Sequence, residues 1–357
     1  MPLLPDDVAA LFARQRGVAV ARQLYAQGFS DRRITTALRR GQLVRLHRAA
    51  YASAEVWSGA NDRARHCMRL LAVQIAAPDA VGWGPTAAVV WGLPVFAVPG
   101  RPVVARRSGP VSAAGADMVR WHVDESEVVG QHGLRVTSIA LTVVDVVGEH
   151  GLPWSLMTVD AALARGVHET DLVATGQRRP TNRKRRQIIE VVKLGDPASE
   201  SALESTSRGC MVQSGLPIPL CNVVLRLGDR WYRVDFLWLE LGVVGERDGK
   251  TKYLNADVKD VLWREKRRHE RIEESGFRVV RWGYAEVAEE GAAMVRRIRR
   301  AMDAQRRLGF SWPDDVRAEV PVRGVQPPPR VIAEVNRLRA LDYPITFVDE
   351  WGEPRCF

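Results

Sequence analysis

Residues 230–250 read RWYRVDFLWLELGVVGERDGK, and this stretch decides how the second half of the chain is read. RWYRVDFLW alternates as a strand does, so Val234, Phe236 and Trp238 are expected on one face and Asp235 on the other. VVGERDGK keeps the same period, which puts Val244, Glu246, Asp248 and Lys250 on a shared face. A strand otherwise suited to burial thus presents two carboxylates and an ammonium in a row. That combination suits metal-assisted phosphodiester hydrolysis, in which carboxylates hold Mg²⁺ through oxygen and a Lys orients or activates the attacking water. The predicted metal ligands are Asp235, Glu246 and Asp248, with either Glu246 or Asp248 as principal ligand of the second strand. Glu204, on the preceding helix, completes the predicted catalytic set with Lys250. The same carboxylates also suit structural ion pairs in a fold without hydrolysis.

Outward from this stretch, residues 199–215 (SESALESTSRGCMVQSG) predict a helix with Ser199 at its N-cap. Residues 221–240 predict an antiparallel hairpin turning at Gly228–Asp229. LGVVGERDGKTKY gives a third strand, residues 257–276 a long helix, and FRVVRW a fourth strand. Along the long helix, Val258, Leu262, Glu265, His269 and Ile272 fall on one stripe. Glu265 and His269 are expected either as a salt-bridged edge or as groups that orient Lys250 or the metal.

The order α-β-β-β-α-β is the core order of the PD-(D/E)xK nuclease fold. Residues 198–300 also resemble a Vsr-like endonuclease domain. The matching features are the S-x-x-E ending at Glu204, G-L-P-x-P from Gly215 to Pro219, R-V-D-F around Asp235, G-E-x-D-G through Gly249, and REKRRHERIEESGFRVVRW. Many such domains carry a His shortly after the Asp-Gly; here Lys250 and Lys252 stand in that neighbourhood.

The N-terminal residues carry a different pattern. Asp6 to Arg16, Val20 to Gln27, and the stretch after Ser30 (DRRITTALRR) predict three helices, punctuated by Gly17, Gly28 and Gly41. Ile34 and Leu38 point inward, which sends Arg32, Arg33, Arg39 and Arg40 outward. QLVRLHRAAYA then predicts a two-stranded wing with Arg45 and Arg48 placed to grip phosphate. The expected unit is a winged helix-turn-helix whose third helix enters the major groove of double-stranded DNA. Residues 14–48 hold nine Arg and one acid, Asp31. A solvated helical face, or a winged helix used for protein contacts, is the alternative.

This N-terminal unit resembles that of the AbiEi-type antitoxins. The shared features are Gly17-Val-Ala-Val, Gly28-Phe-Ser, Arg39-Arg-Gly-Gln-Leu-Val-Arg-Leu and Tyr51, with Ala49 replacing the family's usual wing glycine. Residues 60–175 continue the likeness through TAAVVWGLPVF and the helix of TSIALTVVDVVGEH, where Leu141 replaces an Arg common in the family. The resemblance implies an antitoxin that represses its own operon and opposes a nucleotidyltransferase toxin. The alternatives are an Mg²⁺-dependent DNA endonuclease in phage defence or repair, and a non-catalytic antitoxin acting by protein contact alone.

Composition bounds these readings. The chain has 357 residues, a formal charge of +10, and 52 basic residues of which only six are Lys. Arg donates in a planar fork that suits phosphate, so the bias favours an anionic partner. Pro78, Pro85, Pro94 and Pro99 break the one long apolar stretch, 70–100, so buried core is expected there and no membrane span. Cys67, Cys210, Cys221 and Cys356 are scattered with no CxxC, and MPLLPDD lacks the positive charge of a signal peptide; a cytoplasmic location is expected. His122, His132, His150 and His168 lack metal-ligand spacing. Thr137 and Ser138 are expected as helix caps.

The fold class is therefore α+β, with a winged helix-turn-helix over 1–58 and a mixed α/β domain over 59–175. TGQRRPTNRKRR opens a basic linker helix over 176–197. The α-β-β-β-α-β restriction-endonuclease-like domain follows over 198–312, and a Pro-rich extension over 313–357. The sequence sets no oligomeric state.

Overall fold

The computed structural model describes residues 4–105, 115–119, 123–179, 182–248, 258–322, 326–349 and 351–357. The fold is mixed α and β with three sheets. The chain divides into two compact units, 1–149 and 150–357.

The first unit opens with α1 (Asp6–Arg14), whose Asp6 and Asp7 sit where the helix dipole favours negative charge. Next come β1 (Val18–Val20), α2 (Ala21–Ala26), α3 (Asp31–Arg39), β2 (Leu43–His47) and β3 (Ala50–Ser53). The sequence predicted α1 to Arg16 and α2 from Val20. Instead a turn at Gly17, with φ +80°, leads into a strand. Val18, Ala19 and Val20 are all buried and pair with Ala50–Ala52, so burial against a distant partner overrides the local helical pattern. The β2–β3 hairpin, expected as a two-stranded wing, is therefore part of a three-stranded sheet, order β1-β3-β2. Ser30 occupies the N-cap of α3, but its side chain makes no capping bond.

The unit continues through α4 (Ala54–Gly59), α5 (Asp62–Ala76), β4 (Val81–Gly82), α6 (Pro85–Val90), β5 (Val103–Ala105), β6 (Asp117–Val119), β7 (Val128–Gln131), β8 (Leu134–Thr137) and α7 (Ile139–His150). The apolar stretch from residue 70 folds into this core, where Leu70, Val73, Ala87 and Val90 pack with Val104 and Val136. Among the described residues no helix is long and apolar enough to cross a membrane. His66 is buried between the carbonyl of Pro99 and the hydroxyl of Thr86, and burial lowers its pKa to about 4. Ser138 accepts the Leu141 N–H and donates to Glu127, which fits a capping role.

The second unit contains α8 (Leu156–Leu163), α9 (Glu169–Gln177), α10 (Asn182–Lys193), α11 (Ala202–Gln213), β9 (Leu220–Leu227), β10 (Arg230–Trp238), β11 (Val243–Arg247), α12 (Val258–Glu274), β12 (Arg278–Trp282), α13 (Tyr284–Ala288), α14 (Ala292–Leu308), β13 (Val316–Pro321), α15 (Pro329–Ala340), β14 (Ile345–Val348) and β15 (Pro354–Arg355). Its seven-stranded sheet has the order β12-β11-β10-β9-β13-β14-β15. One core joins Val223, Val234, Val244 and Ile272 to β13, β14 and α15; the other joins Phe236, Trp238 and Trp282 to α11 and α14.

Two boundaries differ from the sequence reading. Residues 150–197 fall in the compact unit 150–357, tied to α11 by the fully buried pair Arg208–Asp160 at 2.6 Å. Burial works against the Arg208 charge, but Asp160 outweighs it and raises the guanidinium pKa. Residues 313–357 are no appendage, because β13 pairs antiparallel with β9 and carries β14 and β15 beyond it.

Candidate functional site

A cleft of about 500 Å³ opens beside β10 and β11, lined by Glu204, Asp235, Glu246 and Asp248 together with Arg247, Arg268 and Arg281. Four of the five predicted catalytic residues thus come together; Lys250 lies outside the described residues.

Glu204 is 2% exposed on the first turn of α11. The N-cap is Ser201, not Ser199 as the sequence reading had it: the Ser201 hydroxyl accepts the Glu204 N–H. The Ser201-x-x-Glu204 spacing is that of a capping box, and the carboxylate reaches back to the Glu200 N–H at 2.8 Å and the Ser201 hydroxyl at 2.8 Å. It also accepts from Asn222 Nδ2 and Arg247 Nε, each at 2.9 Å. Each oxygen of Glu204 therefore already holds two donors.

Asp235 does not follow the strict alternation expected of β10. Val234 packs in one core while Phe236 and Trp238 pack in the other, so the three do not share a face. The cause lies on β9. Val234 pairs with Val223 and Phe236 with Cys221, and between them Asn222 adopts a left-handed φ of +51°. Both strands change face at this step. Asn222 turns to bond Glu204 and the Ala198 carbonyl, and Asp235 lines the cleft. Asp235 accepts the Arg247 backbone N–H at 2.9 Å. Burial raises its pKa; the Arg247 N–H opposes, and the charges of Glu204 and Glu246 add to the rise.

The register Phe236↔Gly245 sets Asp235 opposite Glu246. Gly245 is required there, since a Cβ would lie 2.7 Å from the Trp282 ring. Glu246 is buried, and two guanidinium groups hold it. Arg268 of α12 contacts both its oxygens, at 3.0 and 2.6 Å, and Arg281 of β12 reaches it at 3.1 Å. Asp248 is exposed at the cleft mouth, its backbone N–H donating to the Trp282 carbonyl. Glu265 pairs with Arg268 and Arg281, and His269 with Glu273. Glu265 is thus part of a salt-bridged edge of α12.

As arranged, the cleft does not fit Mg²⁺. Glu204 is saturated with donors, Glu246 is held by two arginines, and no group of three His, Cys, Asp or Glu side chains among the described residues is placed to hold a metal. The sequence reading placed the acids but missed Asn222, Arg247, Arg268 and Arg281. Arg268 had a signal, since it shares the helical stripe of Glu265 and Ile272.

In the first unit, Arg32, Arg33, Arg39 and Arg40 are exposed on α3 while Ile34 and Ala37 are buried. Arg45 and Arg48 are exposed on and beside β2, and Arg45 lies 5.8 Å from the Tyr51 ring centre. None of the six takes part in an ion pair among the described residues.

The chain is similar to two mycobacterial proteins. The uncharacterized proteins MT2308 and Rv2248, from two strains of Mycobacterium tuberculosis, are each 30% identical to it over 186 residues. That match spans 50% of this chain and 65% of theirs. No family model matches. The crystal structure of the RV2827C protein from Mycobacterium tuberculosis shares 17% identity over 52% of this chain and 76% of that one, with a TM-score of 0.36, too slight to assign a fold.

Proposed function

We propose that the protein is an AbiEi-like, DNA-binding antitoxin and repressor of its own operon whose first unit begins with a winged helix-turn-helix. The carrying observation is the exposed, unneutralised arginine face of α3, flanked by Arg45 and Arg48. In this reading α3 enters the major groove and the β2–β3 hairpin is the wing that contacts phosphate. The partners are double-stranded DNA and a cognate nucleotidyltransferase toxin. Gel-shift titration with the protein's own upstream DNA tests this. Wild type binds specifically; Arg32→Ala and Arg39→Ala weaken it. Unchanged affinity in both would remove the assignment.

The second unit, in this reading, is a Vsr-like, restriction-endonuclease-like domain. The order helix, three strands, helix, strand at α11–β9–β10–β11–α12–β12 supports it, as does the convergence of Glu204, Asp235, Glu246 and Asp248 on one cleft. The arginine-held acids favour a domain that does not hydrolyse DNA. Phosphodiester hydrolysis with Mg²⁺ is the competing reading, favoured by the same convergence. Plasmid cleavage with Mg²⁺, compared between wild type and Asp235→Ala, separates them: cleavage by wild type alone would establish a nuclease.

A further inference from the structure

The cleft is not the only arginine-rich feature of the second unit. β12 is the outermost strand at one end of the seven-stranded sheet, and α14 lies against it. Between them runs a groove of about 300 Å³ lined by Arg278, Arg281, Arg297 and Arg300, with Ala301 and Ala304 as a small-residue floor and no acid among its lining residues. Arg278 and Arg300 are exposed and form no ion pair among the described residues. Arg297 is paired with Glu286 and donates to the Arg281 carbonyl at 2.6 Å. Arg281 also lines the carboxylate cleft, where it holds Glu246.

We propose that this groove is a second nucleic-acid contact, taking the phosphate backbone of DNA outside the site engaged by α3. It extends the DNA-binding reading but rests on separate residues. Arg278 and Arg300, one on each element, offer forks that donate to phosphate oxygens in pairs, with Arg297 between the two elements. Ala301 and Ala304 leave room for a backbone to approach between them. A duplex presents charge evenly along its axis, so a row of arginines engages it without reading sequence.

The experiment uses the full chain and fluorescence anisotropy with a non-specific duplex, at salt from about 50 to 200 mM. Arg278→Gln/Arg300→Gln is made in wild type and in the Arg32→Ala/Arg39→Ala background. Residual, salt-sensitive binding is expected in that background. Adding the groove substitutions lowers the slope of log affinity against log salt by about 2, near 0.9 per lost phosphate contact. Arg300→Glu, a single exposed change, gives a larger affinity loss than Arg300→Gln. No residual binding in the background, or an unchanged slope, overturns the proposal. So does a variant that keeps its DNA affinity but loses binding to poly-glutamate, which would assign the groove to an acidic peptide. Unchanged binding in Arg32→Ala/Arg39→Ala with loss on adding the groove changes would sink the α3 assignment alone and leave the groove standing.

Discussion

The arginines of α3 and those of the cleft are the same residue type in opposite circumstances. Arg32, Arg33, Arg39 and Arg40 project from a helix whose only first-turn acid is Asp31, and their charge stays available to a partner. Arg247, Arg268 and Arg281 are turned onto Glu204 and Glu246, and their charge is spent inside the molecule. Net charge alone does not separate the two. Exposure and the nearest acid do: a guanidinium in solvent contributes little to stability and much to long-range attraction, while one on a buried carboxylate does the reverse.

The sharpest test of that contrast is at its extreme. Arg208 and Asp160 are both fully buried, so Arg208→Ala strands a carboxylate in the core and should cost about 3–5 kcal/mol in urea unfolding. A cost near that of an exposed arginine would break the comparison. In the cleft, Arg268→Ala leaves Glu246 with Arg281 alone and should cost about 1–3 kcal/mol. Much of that loss should return in the double variant with Glu246→Gln, read as a double-mutant cycle. On α3, Arg32→Ala and Arg39→Ala should each change stability by no more than about 0.5 kcal/mol. Each should also lower the salt slope of DNA binding by roughly 0.9.

The smallest expected effect carries a pH signature. The Asp235 pKa is raised in the folded protein, first by burial, so the folded state binds the proton more tightly than the unfolded state does. Stability therefore falls as pH rises through the window between the ordinary Asp value and the folded one. Asp235→Asn removes that loss. It should be more stable than wild type at neutral pH, with the gain fading as the pH drops below the usual Asp range. Equal stability at both ends, measured by urea midpoints, would contradict it.

What the sequence disclosed and what it hid divide along sequence distance. Helices α3, α11 and α12 announce themselves by local spacing. So do the two strands that carry Asp235 and Glu246, since alternation and turn residues are contiguous signals. The Ser201-x-x-Glu204 cap was equally local and still went to Ser199, because two serines two residues apart compete for one position. The arginines on Glu246 come from α12 and β12, twenty-two and thirty-five residues away, and only the folded register pairs them. β1 was hidden because VAV becomes a strand by pairing with residues 50–52. The face change at Asn222 was hidden because alternation assumes regular backbone, and one left-handed residue breaks it.

The place of β13 beside β9 also bears on how the chain is made. β9 lies inside the sheet, with Val223 and Leu225 fully buried, yet one of its two neighbours is synthesised about 90 residues later. At roughly 5–20 residues per second, a ribosome leaves that strand half-paired for several seconds. During that interval β9 is an open, apolar template for another nascent chain. A stop codon placed before Val316 would make the interval permanent, so such a product should aggregate even though every residue of the cleft had been translated.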